Sequence, residues 1–300
     1  TRRLVKIREG LLKRIKLHPE LKRSDNDFKR LFNSWFSRGF LLMQPIDWTT
    51  PAHILEKIIA YEAVHEIGTW SELRSRLEPQ DRYCYAFFYP SMEDEPLVFV
   101  EVALTMNIPS NISDVLNIER QKTDPEEASC AIFYSISNCH SGLAGVSFGN
   151  FLIKQVATSL KLRFPQLKKF ATISPAPMFR SWLQAQAGDS PEIVDLVKQC
   201  KKELTDSVYS RLRYQAARYY LFAKNAGNEP FDPVARFHLK NGAILERINP
   251  AADDSEKSNQ QSFGLMVNYV YDLARVEDNH ENYMKNHQVV CSSQVSKLLG

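Results

Sequence analysis

A hydroxyl backed by an imidazole is the simplest chemical device this sequence offers, and a few positions bear on it. Gly145-Val146-Ser147-Phe148-Gly149 matches the Gly-x-Ser-x-Gly pentapeptide that presents a nucleophilic serine on a sharp strand-to-helix turn. That elbow requires the strand to run straight into the serine. Here nine loop residues separate Ser137 from Ser147, which argues against a nucleophile. Ser147 reads instead as a helix N-terminus, either a cap or a polar group facing whatever the helix end binds. Ser174-Pro175 is either a strand-ending turn or a strand end that aims a hydroxyl into a cleft at the sheet edge. His238, in Phe237-His238-Leu239, reads as a structural histidine or an acid–base group, and Tyr269 and Tyr271 as core aromatics or catalytic phenols. No His and carboxylate pair has metal-ligand spacing, and neither a P-loop nor a GxGxxG occurs.

The elements that must carry these groups follow from periodicity. Leu4, Ile7, Leu11 and Ile15 recur at helical spacing among basic residues, and a second helix is expected from about Asp25 to Ser37. Thr50-Pro51 opens a helix whose buried face is Ile54, Leu55, Ile58 and Ile59. Arg82 to Tyr89 and Pro96 to Thr105 read as a hairpin joined by Glu93-Asp94-Glu95, and Ser129 to Ser137 as a third strand. A loop from Asn138 to Gly145 leads into a helix with Leu152, Val156 and Leu160 on one face, ended by Pro165. Such a strand, glycine-containing loop and helix can hold a phosphate on loop amides and the positive helix end. Lys169 to Ser174 is expected to be a short strand stopping at Pro175. The second half reads as mostly helical. Ser190-Pro191 and Asp232-Pro233 mark helix starts, so His238 should lie on a short helix ending near Asn241-Gly242.

Composition sets the outer limits. Of 300 residues 44% are apolar and 24% charged, ordinary for a folded globular chain with a packed core. A net charge of +3 is too small to argue for nucleic acid. No apolar run is long enough to span a bilayer. Five widely spaced cysteines without a CxxC point to an intracellular, reducing compartment (cytoplasmic, mitochondrial or peroxisomal) rather than a disulfide framework. The start at Thr1 without Met reads as a trimmed N-terminus, and Ser296-Lys297-Leu298 is not terminal, so it is no peroxisomal address as it stands.

Five segments in order resemble the malonyl-CoA decarboxylase family. They are Ala131-Ile132-Phe133-Tyr134-Ser135-Ile136-Ser137, Phe151-Leu152-Ile153-Lys154, Ser174-Pro175-Ala176-Pro177-Met178-Phe179 with Trp182, Pro233 to Ala243, and Gly264 to Tyr271. The resemblance implies an α/β fold with a mixed sheet and flanking helices like that of GCN5-related acetyltransferases, preceded by a partial all-helical segment. Residues 1–38 would be the C-terminal part of a helical oligomerisation domain and 39–300 the catalytic acyl-CoA domain. The family's catalytic serine, histidine and tyrosine fall on Ser174, His238 and Tyr271. Its substrate- and CoA-binding residues fall on His140, Ser141, Gly142, Leu143, Ala144, Gly145, Val146, Ser147 and Asn268. Ser147 stands where some relatives carry glutamate, and Pro250 where a tryptophan is expected. The implied reaction converts malonyl-CoA to acetyl-CoA and CO2 in a homo-oligomer, with no metal and no cofactor, since CoA belongs to the substrate. His238 is expected to cycle a proton near neutral pH. The alternatives are an acyl-CoA-dependent acetyltransferase on the same fold, a serine hydrolase using Ser147, and a non-catalytic CoA-binding subunit. CO2 release from malonyl-CoA alone separates them.

Overall fold

Two amphipathic helices open the chain, Arg2–Arg14 and Lys22–Trp35, and one arginine ties them together. The computed structural model describes residues 1–36, 40–92, 94–146, 151–200 and 205–300, apart from the side chains of Phe151 and Asp189. Within these, the chain divides into two compact units. The first takes in Thr1–Ala103, Lys122–Pro125 and Ser135–Arg163, and the second Leu104–Gln121, Glu126–Tyr134 and Phe164–Gly300.

In the first unit, β1 (Leu42–Ile46), β2 (Arg82–Phe88) and β3 (Pro96–Thr105, whose last two residues count with the second unit) form an antiparallel ladder. The expected β2–β3 hairpin is present. Asp94 takes a positive φ of 56° in its turn, which a short polar residue tolerates, while Glu93 lies outside the described residues. The helix Ala52–Tyr61 buries Ile54, Leu55 and Ile58 in a core with Ile46, Leu73, Leu77, Cys84, Phe88 and Phe99. Sequence periodicity misses the helix Trp70–Leu77, which is mostly polar. Its start is nonetheless well defined: the Thr69 hydroxyl accepts from the Glu72 amide and the Glu72 carboxylate accepts from the Gly68 amide.

Arg8 is fully buried. Its Nε donates to Asp25 at 2.8 Å, Nη1 to the Gly142 carbonyl at 2.7 Å and Nη2 to the Ala144 carbonyl at 2.8 Å. Lys29 completes the cluster on Asp25 at 2.9 Å. Burial works against the Asp25 charge, but Lys29 and Arg8 outweigh it and hold the carboxyl below its ordinary range. The helix pair thus grips the loop that carries Gly142 and Ala144. Gly142 permits the approach, since a Cβ there would stand 2.1 Å from the Val5 carbonyl oxygen.

β4 (Cys130–Asn138) passes from the second unit to the first at residues 134 and 135. In the second unit it pairs in parallel with β5 (Lys169–Thr172). The strand read from Lys169 does end at Pro175, but it is not continuous. The ladder lapses at Ile173 and resumes as β6 (Ser174–Pro175), which pairs antiparallel with β8 (Met266–Val270). Proline lacks an amide hydrogen, so the pairing is brief. β7 (Ile244–Asn249) lines the same β8 strand antiparallel. β7 and β8 are strands in a region read as mostly helical. Its helices do form, at Phe179–Gln186, Pro191–Cys200, Asp206–Phe222, Pro233–Lys240, Glu256–Ser262 and Val276–Asn286. A mixed sheet with flanking helices, following a helical segment, is the fold class expected. Among the described residues no helix is long and apolar enough to cross a membrane.

Candidate active site

The second unit gathers its chemistry around one histidine. The helix Pro233–Lys240 is fixed at both ends. At its start the buried Asp232 accepts from the Val234 and Ala235 amides, each at 2.9 Å, and from the Tyr219 hydroxyl at 2.9 Å. Burial raises the Asp232 pKa, with those hydrogen bonds opposing. At its end Gly242 takes φ +80°, and a Cβ there would meet the Val276 carbonyl oxygen at 2.0 Å. Ala235, His238 and Leu239 form the buried face.

Three strands supply the other groups through the two-residue period of extended backbone. Thr172 and Ser174 come from β5 and β6, and Tyr269 and Tyr271 from β8 and the residue after it. His238 Nε2 lies 3.1 Å from Ser174 Oγ, and Nδ1 lies 2.7 Å from Tyr271 Oη. Ser174 Oγ lies 2.8 Å from Thr172 Oγ1, which also accepts the Tyr269 amide at 3.2 Å. The Tyr269 ring stacks on the imidazole at 4.5 Å between centroids. The result is one hydrogen-bonded chain, Tyr271–His238–Ser174–Thr172, with its imidazole clamped flat.

Every member of this chain is neutral at pH 7. Burial pushes the His238 pKa down to about 3 and the phenols of Tyr271 and Tyr269 well up. This departs from the expectation of a histidine titrating near neutrality. The protein has withdrawn the ring from water, and among the described residues no carboxylate bonds to it to stabilise its cation. The same fact bears on nucleophilic chemistry. A Ser-His-acid triad uses the acid to stabilise the imidazolium that forms as serine attacks. Here a phenol occupies that position, so a proton passed along these groups would move between neutral partners.

The structure thus brings together Ser174, His238 and Tyr271. Asn268 immediately precedes Tyr269 on β8, but its amide is fully engaged. It donates to the carbonyls of Thr172 (2.8 Å) and Pro109 (3.1 Å) and accepts from Arg247 (3.0 Å) and Asn249 (2.8 Å). Its part is to hold the Thr172 backbone. His140 through Val146 belong to the first unit. The Leu143, Ala144 and Val146 amides donate back into the loop, so those three are not free for a phosphate. Ser141 hydrogen-bonds Glu9, and the half-buried His140, its pKa lowered mainly by burial, packs against Tyr61. Gly145 has φ +70° beside Lys29. Ser147 lies outside the described residues. Among the described residues no three His, Cys, Asp or Glu side chains gather as metal ligands. Sequence reasoning missed Thr172, whose signal is its place two residues before Ser174, and Arg8, one of several cations on a basic helix.

A family model of the malonyl-CoA decarboxylase C-terminal domain matches residues 39–300, and that of the N-terminal domain matches residues 1–36. The chain belongs to the malonyl-CoA decarboxylase family. It is 34% identical to the mitochondrial malonyl-CoA decarboxylase of Anser anser anser, over 96% of this chain and 63% of the relative. It is likewise 34% identical to that of Mus musculus, over 99% of this chain and 67% of the relative. It therefore spans about two thirds of the length of the curated relatives it matches. The crystal structure of malonyl-CoA decarboxylase from Rhodopseudomonas palustris superimposes with a TM-score of 0.93 at 47% identity, covering 98% of this chain and 75% of that one. That from Agrobacterium vitis gives 0.92 at 51%, covering 100% and 76%.

Proposed function

We propose that this chain decarboxylates malonyl-CoA to acetyl-CoA, with Ser174 as the proton donor. The observation that carries the reading is the Tyr271–His238–Ser174 hydrogen-bonded chain. When the C–CO2 bond breaks, its electron pair moves into the thioester carbonyl as an enolate. The thioester is itself the electron sink, which is why no metal or organic cofactor is invoked. Preformed donors around the thioester oxygen lower the barrier as charge develops there. The proton on Ser174 passes to C2. Nε2–H of His238 replaces it, and the Tyr271 hydroxyl supplies Nδ1 in turn. The negative charge the carboxylate brought in is then shared along the chain and discharged by one proton from water, so that malonyl-CoA and a proton give acetyl-CoA and CO2.

His140 to Ser147 are proposed as the loop that meets the CoA moiety, with residues 1–38 forming oligomer contacts in a homo-oligomer. The five cysteines, all unpaired, fit a reducing compartment. The test is direct. The protein incubated with malonyl-CoA alone should release CO2 and acetyl-CoA. Ser174→Ala should lower kcat by roughly 10²–10⁴-fold, the range of general acid–base catalysis, with a smaller change in KM. A serine-directed fluorophosphonate should label neither Ser174 nor Ser147. Labelling of Ser147, with ester hydrolysis that survives Ser174→Ala, would overturn the assignment.

A further inference from the structure

We propose that Thr172 is a positioning residue for Ser174, controlling which way the serine proton points. The inference rests on the reading of Ser174 as proton donor and names what arms it. A hydroxyl has one proton and two acceptor positions. The buried Tyr269 amide occupies one acceptor of Thr172 at 3.2 Å. In the structure Ser174 Oγ donates to Thr172 Oγ1 at 2.8 Å, and reversing that sense is the switch proposed here. If Ser174 donates, its proton is parked on Thr172, away from any substrate. If Thr172 donates while His238 Nε2–H also donates, both acceptor positions of Ser174 are filled. The serine proton must then point in the remaining direction, free for an incoming carbanion, and the oxygen it leaves already holds two donors. Rotation of the two hydroxyls separates the two states. The Cβ branch of Thr172 restricts its χ1 and so keeps its oxygen in place. Asn268 holds the Thr172 carbonyl at 2.8 Å and fixes the backbone beneath it.

The alternative is that Thr172 only satisfies the Tyr269 amide. The experiment separates the two with Thr172→Val, which keeps the branched shape and removes the hydroxyl, and Thr172→Ser, which keeps the hydroxyl. The Val variant should lose about ten- to a hundredfold in kcat with KM changed less than about twofold, the split expected of an interaction used only in the transition state. The Ser variant should recover most of the loss. Added to Ser174→Ala, Thr172→Val should cost little more, because it acts through the group already removed. A Val variant with normal kcat, or one whose loss adds in full to that of Ser174→Ala, would overturn the proposal. Should the Val variant not fold, Thr172→Cys, similar in size but a poor hydrogen-bond partner, carries the same expectations. A full-activity Ser174→Ala would instead refute the proton-donor reading itself, an outcome read independently of any Thr172 variant.

Discussion

Acidification should expose the neutral imidazole at the centre of the site, and the magnitude can be worked out. The His238 pKa is about 3 in the folded protein against an ordinary 6.5. Between those values the unfolded chain binds a proton that the native state refuses, so stability is lost as pH falls through 6.5. From pH 7 to pH 5 this one group destabilises the fold by about 2 kcal/mol, at about 1.4 kcal/mol per pKa unit. Glu101 acts in the opposite direction. Burial lifts it from 4.5 to about 7 against the pull of Arg76. The native state then holds a proton that the unfolded chain has released, and this contributes about 2 kcal/mol on the same descent from pH 7 to pH 5. The two slopes cancel, and the unsubstituted protein should vary little in stability across that window on their account. Urea unfolding at pH 5, 6 and 7 would separate them. His238→Asn should become more stable by about 2 kcal/mol on acidification, and Glu101→Gln less stable by a similar amount. A His238→Asn profile parallel to that of the parent would refute the buried, neutral imidazole.

Arg8→Ala should cost about 3–5 kcal/mol in the same unfolding assay, because it strands the buried Asp25 and frees two loop carbonyls. Gly142→Ala should lower Tm by an amount equivalent to about 1–3 kcal/mol, since its Cβ would meet the Val5 carbonyl. Gly10→Ala is the control: nothing lies within 4 Å of that Cβ, and alanine within the helix Arg2–Arg14 should stabilise by up to about 1 kcal/mol. Gly145→Val, at φ +70°, should raise KM for malonyl-CoA if this loop meets CoA, and an unchanged KM in a folded variant would remove the loop from the binding site.

What could be read from the sequence was whatever local chemistry alone decides. β3 is a run of β-branched and aromatic residues, and its ends match those expected. Asp232-Pro233 caps the His238 helix because a carboxylate can satisfy first-turn amides and proline gives up nothing at the first position. β8 was missed because Met266-Val267-Asn268-Tyr269-Val270 is buried on both faces, so the alternation that marks a half-exposed strand is absent. Trp70–Leu77 was missed for the reverse reason: a mostly polar helix leaves little periodic signal. No periodicity could show Arg8 reaching Gly142, a contact across 134 residues.

The site was half legible for a reason that lies in strand geometry. A strand shows alternate residues to one face, so once Ser174 and Tyr271 are accepted as site residues, Thr172 and Tyr269 follow two positions earlier on each. The alternation also predicts that Asn268 turns elsewhere, and its four hydrogen bonds are to other groups. What alternation cannot supply is the partner of the imidazole's second nitrogen. A carboxylate there would hold His238 as a cation and suit a serine that attacks. The phenol of Tyr271 at 2.7 Å orients the ring equally well while leaving it neutral. A neutral chain suits a reaction whose substrate arrives with its own negative charge and needs a proton returned to carbon. For the decarboxylation proposed above, a buried imidazolium would hold the substrate carboxylate by attraction, whereas a neutral imidazole would not and would still leave a hydroxyl proton to give.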